Sequence, residues 1–123
     1  MATRSYIGKT NSDGTVTYIY CHYDGYPSHH GEILKEHYKT EAKVNALMEL
    51  GDLSVLGPEI GEKQDFNNTQ SNNWCLAYGR DRGESNVSAN TAPLEEIIGD
   101  QDYTYIYDNG EWRCWGGENE IKL

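Results

Sequence analysis

The densest group of chemically capable side chains lies between Cys21 and Gly31, a segment that we call the histidine turn. It carries three of the four histidines of the chain around a glycine and a proline. It follows a β-like run and precedes a helical pattern. The first turn of a helix leaves backbone N–H groups unpaired beside a partial positive charge. The sequence therefore predicts an anion-binding site formed by His22, Asp24, Tyr26, His29 and His30.

A second candidate is the segment Arg80-Asp81-Arg82, which holds half of the arginines between two glycines. A guanidinium offers a rigid fork of donors that matches phosphate and carboxylate oxygens, so Arg80 and Arg82 are predicted to clamp the ligand. Because Asp24 and Glu84 would complement their charges, we expect this segment to lie beside the histidine turn. The same pattern equally favours a structural ion pair of the arginines with Asp24 or Glu84.

Metal binding is the competing interpretation of the histidine turn. His22 and Asp24 could join one of the two adjacent histidines in a three-ligand site with an open position for water. The spacing matches no standard zinc motif, so we predict neither a metal nor another cofactor. No catalytic residue is predicted, because Cys21 would face away from His22 across its strand and Ser28 is better explained as a helix cap. We therefore expect a binding protein rather than an enzyme.

Composition limits the partners. A chain of 123 residues has the size of one domain, which we expect to span residues 1–123. The formal net charge of −10 argues against duplex nucleic acid, because such binding depends on cations that replace counterions at phosphates. Ten tyrosines and one phenylalanine, in a chain that is only 37% hydrophobic, indicate a modest core with partly hydrated aromatic margins. We expect a small anionic ligand, and these margins are also compatible with a homo-oligomer.

The cysteines indicate where the protein resides. Cys21, Cys75 and Cys114 are odd in number, lack Cys-x-x-Cys spacing and lie in strand-like aromatic runs, so they are predicted to be reduced and buried. No stretch approaches the roughly 20 apolar residues of a membrane span, and no apolar segment follows the N-terminus. The sequence thus predicts a cytoplasmic protein that does not enter a membrane.

The elements that must position these side chains alternate between strand and helix patterns. Asp-Gly and Asn-Gly pairs predict an opening hairpin around Asn11–Gly14 and a closing hairpin around Asp108–Glu111. Between the hairpins, the patterns predict a helix from His29 to Tyr38 capped by Ser28 and a helix from Thr40 to Gly51. A long loop over residues 57–73 follows, and then a strand over Asn73–Gly79 and a short helix after Pro93. This order indicates a single-domain α+β fold, whose antiparallel sheet of about five strands carries two to three helices on one face.

Four stretches of the sequence together resemble a known family. They are Tyr18–Pro27 (YIYCHYDGYP), Gly31–Leu34, Leu50–Ser54 and Tyr78–Glu84 (YGRDRGE). In this pattern the chain is similar to a family of small uncharacterised proteins of phages, prophages and bacterial genomes, and the similarity covers most of its length. The resemblance implies a phage or prophage setting, in which small acidic accessory proteins often counter host defences. It implies no catalytic role for any residue.

Together, the motifs and the resemblance predict an accessory protein of the host bacterial cytoplasm that binds and sequesters a small phosphorylated or nucleotide-like ligand, such as a host-defence signal. The alternative is an acidic inhibitor of a host protein, which would need an exposed acidic or aromatic patch and no pocket. A metal-dependent hydrolase is the weaker third interpretation.

Overall fold

The computed structural model describes residues 2–123, which form eight β-strands and four α-helices. The strands are β1 Ser5–Thr10, β2 Val16–Cys21, β3 Leu53–Val55, β4 Leu76–Ala77, β5 Asn90–Ala92, β6 Tyr103–Asp108, β7 Glu111–Gly116 and β8 Asn119–Ile121. The helices are α1 Glu32–His37, α2 Glu41–Leu50, α3 Tyr78–Arg82 and α4 Leu94–Ile97, and a π-helical turn over Pro27–Gly31 precedes α1. The predicted α+β class is confirmed.

Both predicted hairpins are present because their turn residues tolerate the required backbone angles. Between β1 and β2, the Asn11 N–H donates to the Thr15 carbonyl at 2.7 Å, and Gly14 has a φ of 90°. Between β6 and β7, Asn109 and Gly110 have φ values of 52° and 85°, as a type I′ turn requires. These local signals were sufficient to predict the two longest strand pairs.

The sheet is larger than the sequence predicted, and it is mixed. Its strand order is β4-β3-β2-β1-β6-β7-β8, with β5 also pairing with β2. The β1–β6 and β2–β3 pairs are parallel, whereas the other pairs are antiparallel. The prediction of an antiparallel sheet of about five strands is therefore wrong in strand number and in direction. Four strands have only two or three residues, too few for a periodic pattern, and parallel pairing leaves no local turn signal.

Helices cover both faces of the sheet, so the prediction of helices on one face is also wrong. Alternate side chains of each strand point to opposite faces, and both sets are apolar near the centre of the sheet. The larger core lies under α1 and α2 and includes Ile7, Ile19, Leu34, Leu47 and Tyr105. The smaller core lies on the other face, where α4 places Ile97 against Val16, Ile106 and Trp115.

The two central helices begin differently. The Thr40 hydroxyl accepts a hydrogen bond from the Lys43 N–H at 3.2 Å, which confirms the predicted cap of α2, and Gly51 ends that helix with a φ of 78°. The predicted helix from His29 instead opens as the π-helical turn, and the Ser28 side chain caps nothing. Within residues 2–123, no helix is both long enough and apolar enough to cross a bilayer.

Candidate functional site

The histidine turn is fixed to β1 and β6 through Gly25. The Gly25 N–H donates to the Thr3 carbonyl at 2.9 Å, and the Gly25 carbonyl accepts a hydrogen bond from the Tyr105 hydroxyl at 2.6 Å. A Cβ atom at position 25 would lie 2.9 Å from the Thr3 carbonyl oxygen and 3.0 Å from the Ser5 Cβ. Asp24 next to it adopts the left-handed region, with a φ of 61°, which aspartate tolerates better than most residues. The turn is therefore positioned by backbone contacts that a larger residue at position 25 would disrupt.

His30 is the buried member of the histidine turn. Its side chain is 0% exposed, and its ring centroid lies 5.8 Å from that of Tyr105. Burial first, and the neighbouring His29 second, lower the pKa of His30 from 6.5 to about 3, so the imidazole is neutral at physiological pH. Its Nδ1 lies 3.3 Å from the Nδ1 of His29, and its Nε2 has no hydrogen-bond partner among the described residues. His30 thus packs in the core and does not reach the surface, where we expected it to contact a ligand.

The other four predicted members of the turn divide into a group of three and a separate histidine. The Tyr26 hydroxyl donates to the Asp24 carboxylate at 3.3 Å, and its ring lies 6.0 Å from that of His29. The Asp24 charge raises the pKa of Tyr26. His22 instead shares a hydrogen bond of 2.7 Å between its Nδ1 and the hydroxyl of Tyr20. The structure therefore brings Asp24, Tyr26 and His29 together, whereas His22 bonds to its own strand.

Arg80 is engaged by the protein itself. Its Nε and Nη2 donate to the two Asp81 carboxylate oxygens at 2.9 and 3.2 Å. Its Nη1 and Nη2 donate to the carbonyls of Ile60 and Cys75, each at 2.8 Å. Burial raises the pKa of Asp81, but the hydrogen bonds from Arg80 and from backbone N–H groups outweigh it and hold that pKa below its usual value. Arg80 therefore braces the long loop against α3 with donors that a phosphate clamp would need.

Arg82 is also occupied, although it is more exposed. Its guanidinium lies 4.5 Å from the ring centroid of Phe66 and 4.8 Å from that of Tyr78, and it pairs with Glu84. Its side chain remains 48% exposed, so part of the guanidinium still faces solvent. This arrangement matches the structural ion pair with Glu84, which the sequence favoured as much as a ligand clamp.

One strand separates the two predicted segments. Cys21 at the end of β2 pairs with Leu53 of β3, which pairs with Ala77 immediately before α3. Among the described residues, no hydrogen bond or ion pair joins Asp24 to either arginine. The histidine turn and the arginine segment thus lie near the same end of the sheet, but their charged groups have separate partners.

Metal ligation and thiol chemistry find no geometric support in residues 2–123. This part of the chain contains no group of three or more His, Cys, Asp or Glu side chains that could hold a metal ion. Cys21, Cys75 and Cys114 are free and buried, as predicted, and burial raises the pKa of each thiol. For Cys114 the pKa is raised to about 11. Buried thiols of this kind remain protonated and are poor nucleophiles.

A different site, which we call the lysine cavity, lies between the end of α1, the β6–β7 hairpin and β8. Its volume is about 610 Å³, and its aromatic wall is the partly exposed ring of Trp112 backed by Tyr107, whereas the side chain of Tyr38, a further lining residue, is fully buried. The Trp112 indole N–H donates to the Tyr38 carbonyl at 2.9 Å, and the Tyr107 hydroxyl donates to the Lys39 carbonyl at 3.2 Å. These bonds fix the wall in place. Its other lining residues include Lys35, Lys39, Arg113, Lys122, Glu111 and Glu120.

The charges of this cavity oppose the net charge of the protein. Four of its lining residues are cationic and two are acidic, but the Arg113 guanidinium lies over the Trp115 ring on the other face of the sheet, 4.9 Å from its centroid. Arg113 and Glu120 pair with each other at 2.8 Å. Lys35, Lys39 and Lys122 have no ion pair or side-chain hydrogen bond within residues 2–123. The cavity thus concentrates cations without partners in a chain whose net charge is −10.

Sequence reasoning missed the lysine cavity for an identifiable reason. Lys35 lies in α1, but Lys39 lies beyond the end of that helix at His37, so no helical spacing marked the two lysines as a pair. Lys122 is distant in the sequence, and only the pairing of β7 with β8 brings it to the same cavity.

Comparison with known proteins identifies no relative. No family model matches the chain, and no curated protein and no solved structure is similar to it at a significant level. The resemblance to the phage and prophage family therefore stays a prediction.

Proposed function

We propose that this protein binds a small phosphorylated or nucleotide-like ligand in the lysine cavity. The observation that supports this proposal is the meeting of three unpartnered lysines, Lys35, Lys39 and Lys122, at one aromatic-walled cavity of an acidic protein. Lysine ammonium groups are mobile point charges that bind phosphate oxygens without a fixed fork geometry. A phosphate in this cavity would supply the charge partner that these side chains lack.

The aromatic wall supports a ligand that carries a flat ring as well as a phosphate. Trp112 is partly exposed, and its ring lies 5.3 Å from that of Tyr107. A nucleobase that stacks on such a side chain gains about 1–3 kcal/mol. Because hydrogen bonds to the end of α1 already hold Trp112 and Tyr107, little side-chain entropy is lost when a ligand binds.

The phosphate contact was predicted at Arg80 and Arg82, but both guanidinium groups already have partners in the chain. The donors of Arg80 are directed to Asp81 and two carbonyls, and Arg82 is paired and stacked. The lysine cavity has cations without such partners, so we assign the phosphate contact to it. Asp24, Tyr26 and His29 form a secondary candidate surface on the same chain, with His22 apart from them on Tyr20, and a matched variant there can be tested in the same experiment.

In its cellular setting, we propose that the protein sequesters the ligand without transforming it. The phage or prophage context that the resemblance implies favours a host-defence signal as the ligand. The three buried, free cysteines support a reducing compartment, such as the host bacterial cytoplasm.

Calorimetric titration tests the proposal. The panel comprises AMP, ATP, cyclic nucleotides, adenosine and inorganic phosphate, and the variants are Lys35→Gln/Lys39→Gln and Lys122→Gln. Losing a charge-assisted hydrogen bond costs about 1.5–3 kcal/mol, so each lysine that contacts phosphate should weaken a phosphorylated ligand by about tenfold or more. Lys63→Gln removes an exposed lysine of the long loop and is the matched control. His29→Gln tests the histidine turn.

The outcomes separate the candidate functions. A phosphorylated compound that binds the wild type and Lys63→Gln equally, and binds the cavity variants more weakly, supports the proposal. Equal affinity in all lysine variants would remove the lysine cavity as the site, and a loss in His29→Gln would move it to the histidine turn. If no member of the panel binds, the acidic inhibitor becomes the better hypothesis.

A further inference from the structure

The face of the sheet opposite the lysine cavity carries a cluster that we call the tyrosine surface, formed by Tyr6, Tyr18 and Tyr20. Tyr6 pairs with Tyr20 across β1 and β2, and the ring centroids of Tyr6 and Tyr18 lie 4.7 Å apart at an angle of 57°. All three side chains are partly exposed. Tyr6 and Tyr18 pack against the smaller core, which fixes one side of their rings and leaves the other toward solvent.

Gly8 makes this arrangement possible. A Cβ atom at position 8 would lie 2.5 Å from the Thr17 carbonyl oxygen and 2.9 Å from the Cβ of Tyr18. The neighbouring strand and the Tyr18 side chain therefore occupy the space that any other residue at position 8 would need. Close backbone approach of this kind is a common reason for glycine within a strand.

Three carboxylates lie on elements beside Tyr18. Ile97 of α4 belongs to the smaller core against which Tyr18 packs, and α4 carries Glu96, with Asp100 in the turn after it. Asp52 follows α2. Burial, the Tyr6 hydroxyl and these three carboxylates together raise the pKa of Tyr18. Asp52 also accepts a hydrogen bond from the Tyr20 N–H at 3.0 Å. Glu96 and Asp100 have no cationic partner in the described part of the chain, so the negative charge around Tyr18 is uncompensated.

One cation of the chain lies at the other end of the surface. Arg4 precedes Ser5, which pairs with Cys21 at the end of β2, and its charge opposes the effect of burial on the pKa of Tyr20. The Arg4 backbone N–H donates to Asp102. Arg4 therefore offsets part of the negative charge at the Tyr20 end of the surface, whereas no cation of the described chain pairs with the carboxylates at the Tyr18 end. A cationic partner would be attracted to the Tyr6–Tyr18 pair.

We propose that the tyrosine surface docks an arginine- or lysine-bearing segment of a partner protein, whose cationic side chain lies on the rings of Tyr6 and Tyr18 between Glu96 and Asp100. Aromatic faces attract cations, and flanking carboxylates add a direct charge partner. The chain already uses this chemistry elsewhere, because Arg82 lies on Phe66 and Tyr78.

Two features favour a protein segment as the occupant. The tyrosines extend along two adjacent strands of an open sheet face, which suits an extended chain. The net charge of −10 steers a basic partner toward the protein and repels an acidic one. The surface lies across the sheet from the lysine cavity, so this proposal is independent of the proposed ligand and is tested with different residues.

Backbone amide NMR of the whole chain tests the proposal directly. The probe is the peptide acetyl-Gly-Arg-Gly-Arg-Gly-amide, and the same peptide with glutamine in place of arginine is its control. We expect the arginine peptide to shift the amides of β1, β2 and α4, and the glutamine peptide to leave them unchanged. Added salt should weaken the shifts, because exposed charges are screened.

Matched variants identify the contacts. Tyr18→Leu and the double variant Glu96→Gln/Asp100→Asn should each weaken the peptide by about tenfold, whereas Tyr18→Phe keeps the ring and should retain binding. The controls are Tyr26→Leu, which removes an exposed tyrosine of the histidine turn, and Glu62→Gln in the long loop.

Equal binding of both peptides, or unchanged β1 and β2 amides at millimolar arginine peptide, would overturn the proposal. Equal shifts with free spermidine would show that the surface recognises a cation but not a protein segment, and would overturn it as well.

Discussion

Trp112 donates its indole N–H to the backbone carbonyl of Tyr38 at 2.9 Å, which ties the β6–β7 hairpin to the end of α1. A second bond, from the Tyr107 hydroxyl to the Lys39 carbonyl, lies beside it at 3.2 Å. Both bonds join aromatic side chains of the lysine cavity to the segment that carries its lysines. The same contacts that stabilise the fold therefore also set the shape of the cavity.

Tyr107→Phe should destabilise the protein by about 1 kcal/mol, because it removes one hydrogen bond without emptying space in the core. Ligand affinity at the lysine cavity should fall with it, since the wall becomes less fixed. Urea denaturation measures the first effect. Tyr103→Phe is the control, because the Tyr103 hydroxyl makes no hydrogen bond within residues 2–123. Equal free energies of unfolding for the two variants would show that the Tyr107 bond contributes nothing.

Gly25→Ala should destabilise the protein by about 1–3 kcal/mol, because the new Cβ would lie 2.9 Å from a backbone oxygen of Thr3 that cannot move freely. Gly116→Ala is the matched control, since the nearest atom to its Cβ would be 3.5 Å away, in ordinary contact. Thermal unfolding of both variants measures the difference. A Gly25→Ala melting temperature as high as that of Gly116→Ala would disprove the close approach.

Acid should destabilise the protein through His30. The folded pKa is lowered to about 3 from 6.5, so below pH 6.5 the unfolded chain binds a proton that the folded chain excludes. The contribution of His30 to the free energy of unfolding is full above pH 6.5. Below that pH it falls by about 1.4 kcal/mol per pH unit until the folded pKa is reached. Urea denaturation at several pH values between neutrality and pH 5 should show this fall of the unfolding free energy in the wild type. The control His37→Gln, which removes an exposed histidine, should show the same fall.

The His30→Gln variant should lose most of that slope, whatever its stability at neutral pH. A pH dependence identical to that of the wild type would mean that groups other than His30 determine acid unfolding. This comparison does not depend on how much the glutamine itself destabilises the core.

Arg80→Lys should cost about 1.5–3 kcal/mol, because a lysine cannot donate to Asp81, Ile60 and Cys75 at once. Arg82→Lys should change stability by only a few tenths of a kcal/mol, because the Arg82 side chain is 48% exposed and its ion pair is screened by solvent. Thermal melts together with the calorimetric titration test both substitutions. A loss of phosphate affinity in Arg82→Lys with an unchanged melting temperature would restore the predicted arginine clamp and argue against the lysine cavity.

The features that depend on neighbouring residues could be predicted from the amino-acid sequence. The Asn109-Gly110 turn, the Thr40 cap and the buried, unpaired cysteines were predictable, because each follows from local backbone preference or from residue type. The gathering of Asp24, Tyr26 and His29 at one turn was predictable for the same reason.

Which polar groups remain free to bind a ligand depends instead on long-range packing. Arg80 and His30 had the right chemistry for a ligand, but long-range packing placed Arg80 on the carbonyls of Ile60 and Cys75 and buried His30 against Tyr105. The same packing brought Lys122 to Lys35 and Lys39. A side chain becomes a ligand contact only if no nearer partner satisfies it, and some of those partners, such as Ile60 for Arg80 and Tyr105 for His30, come from segments that lie far away in the sequence.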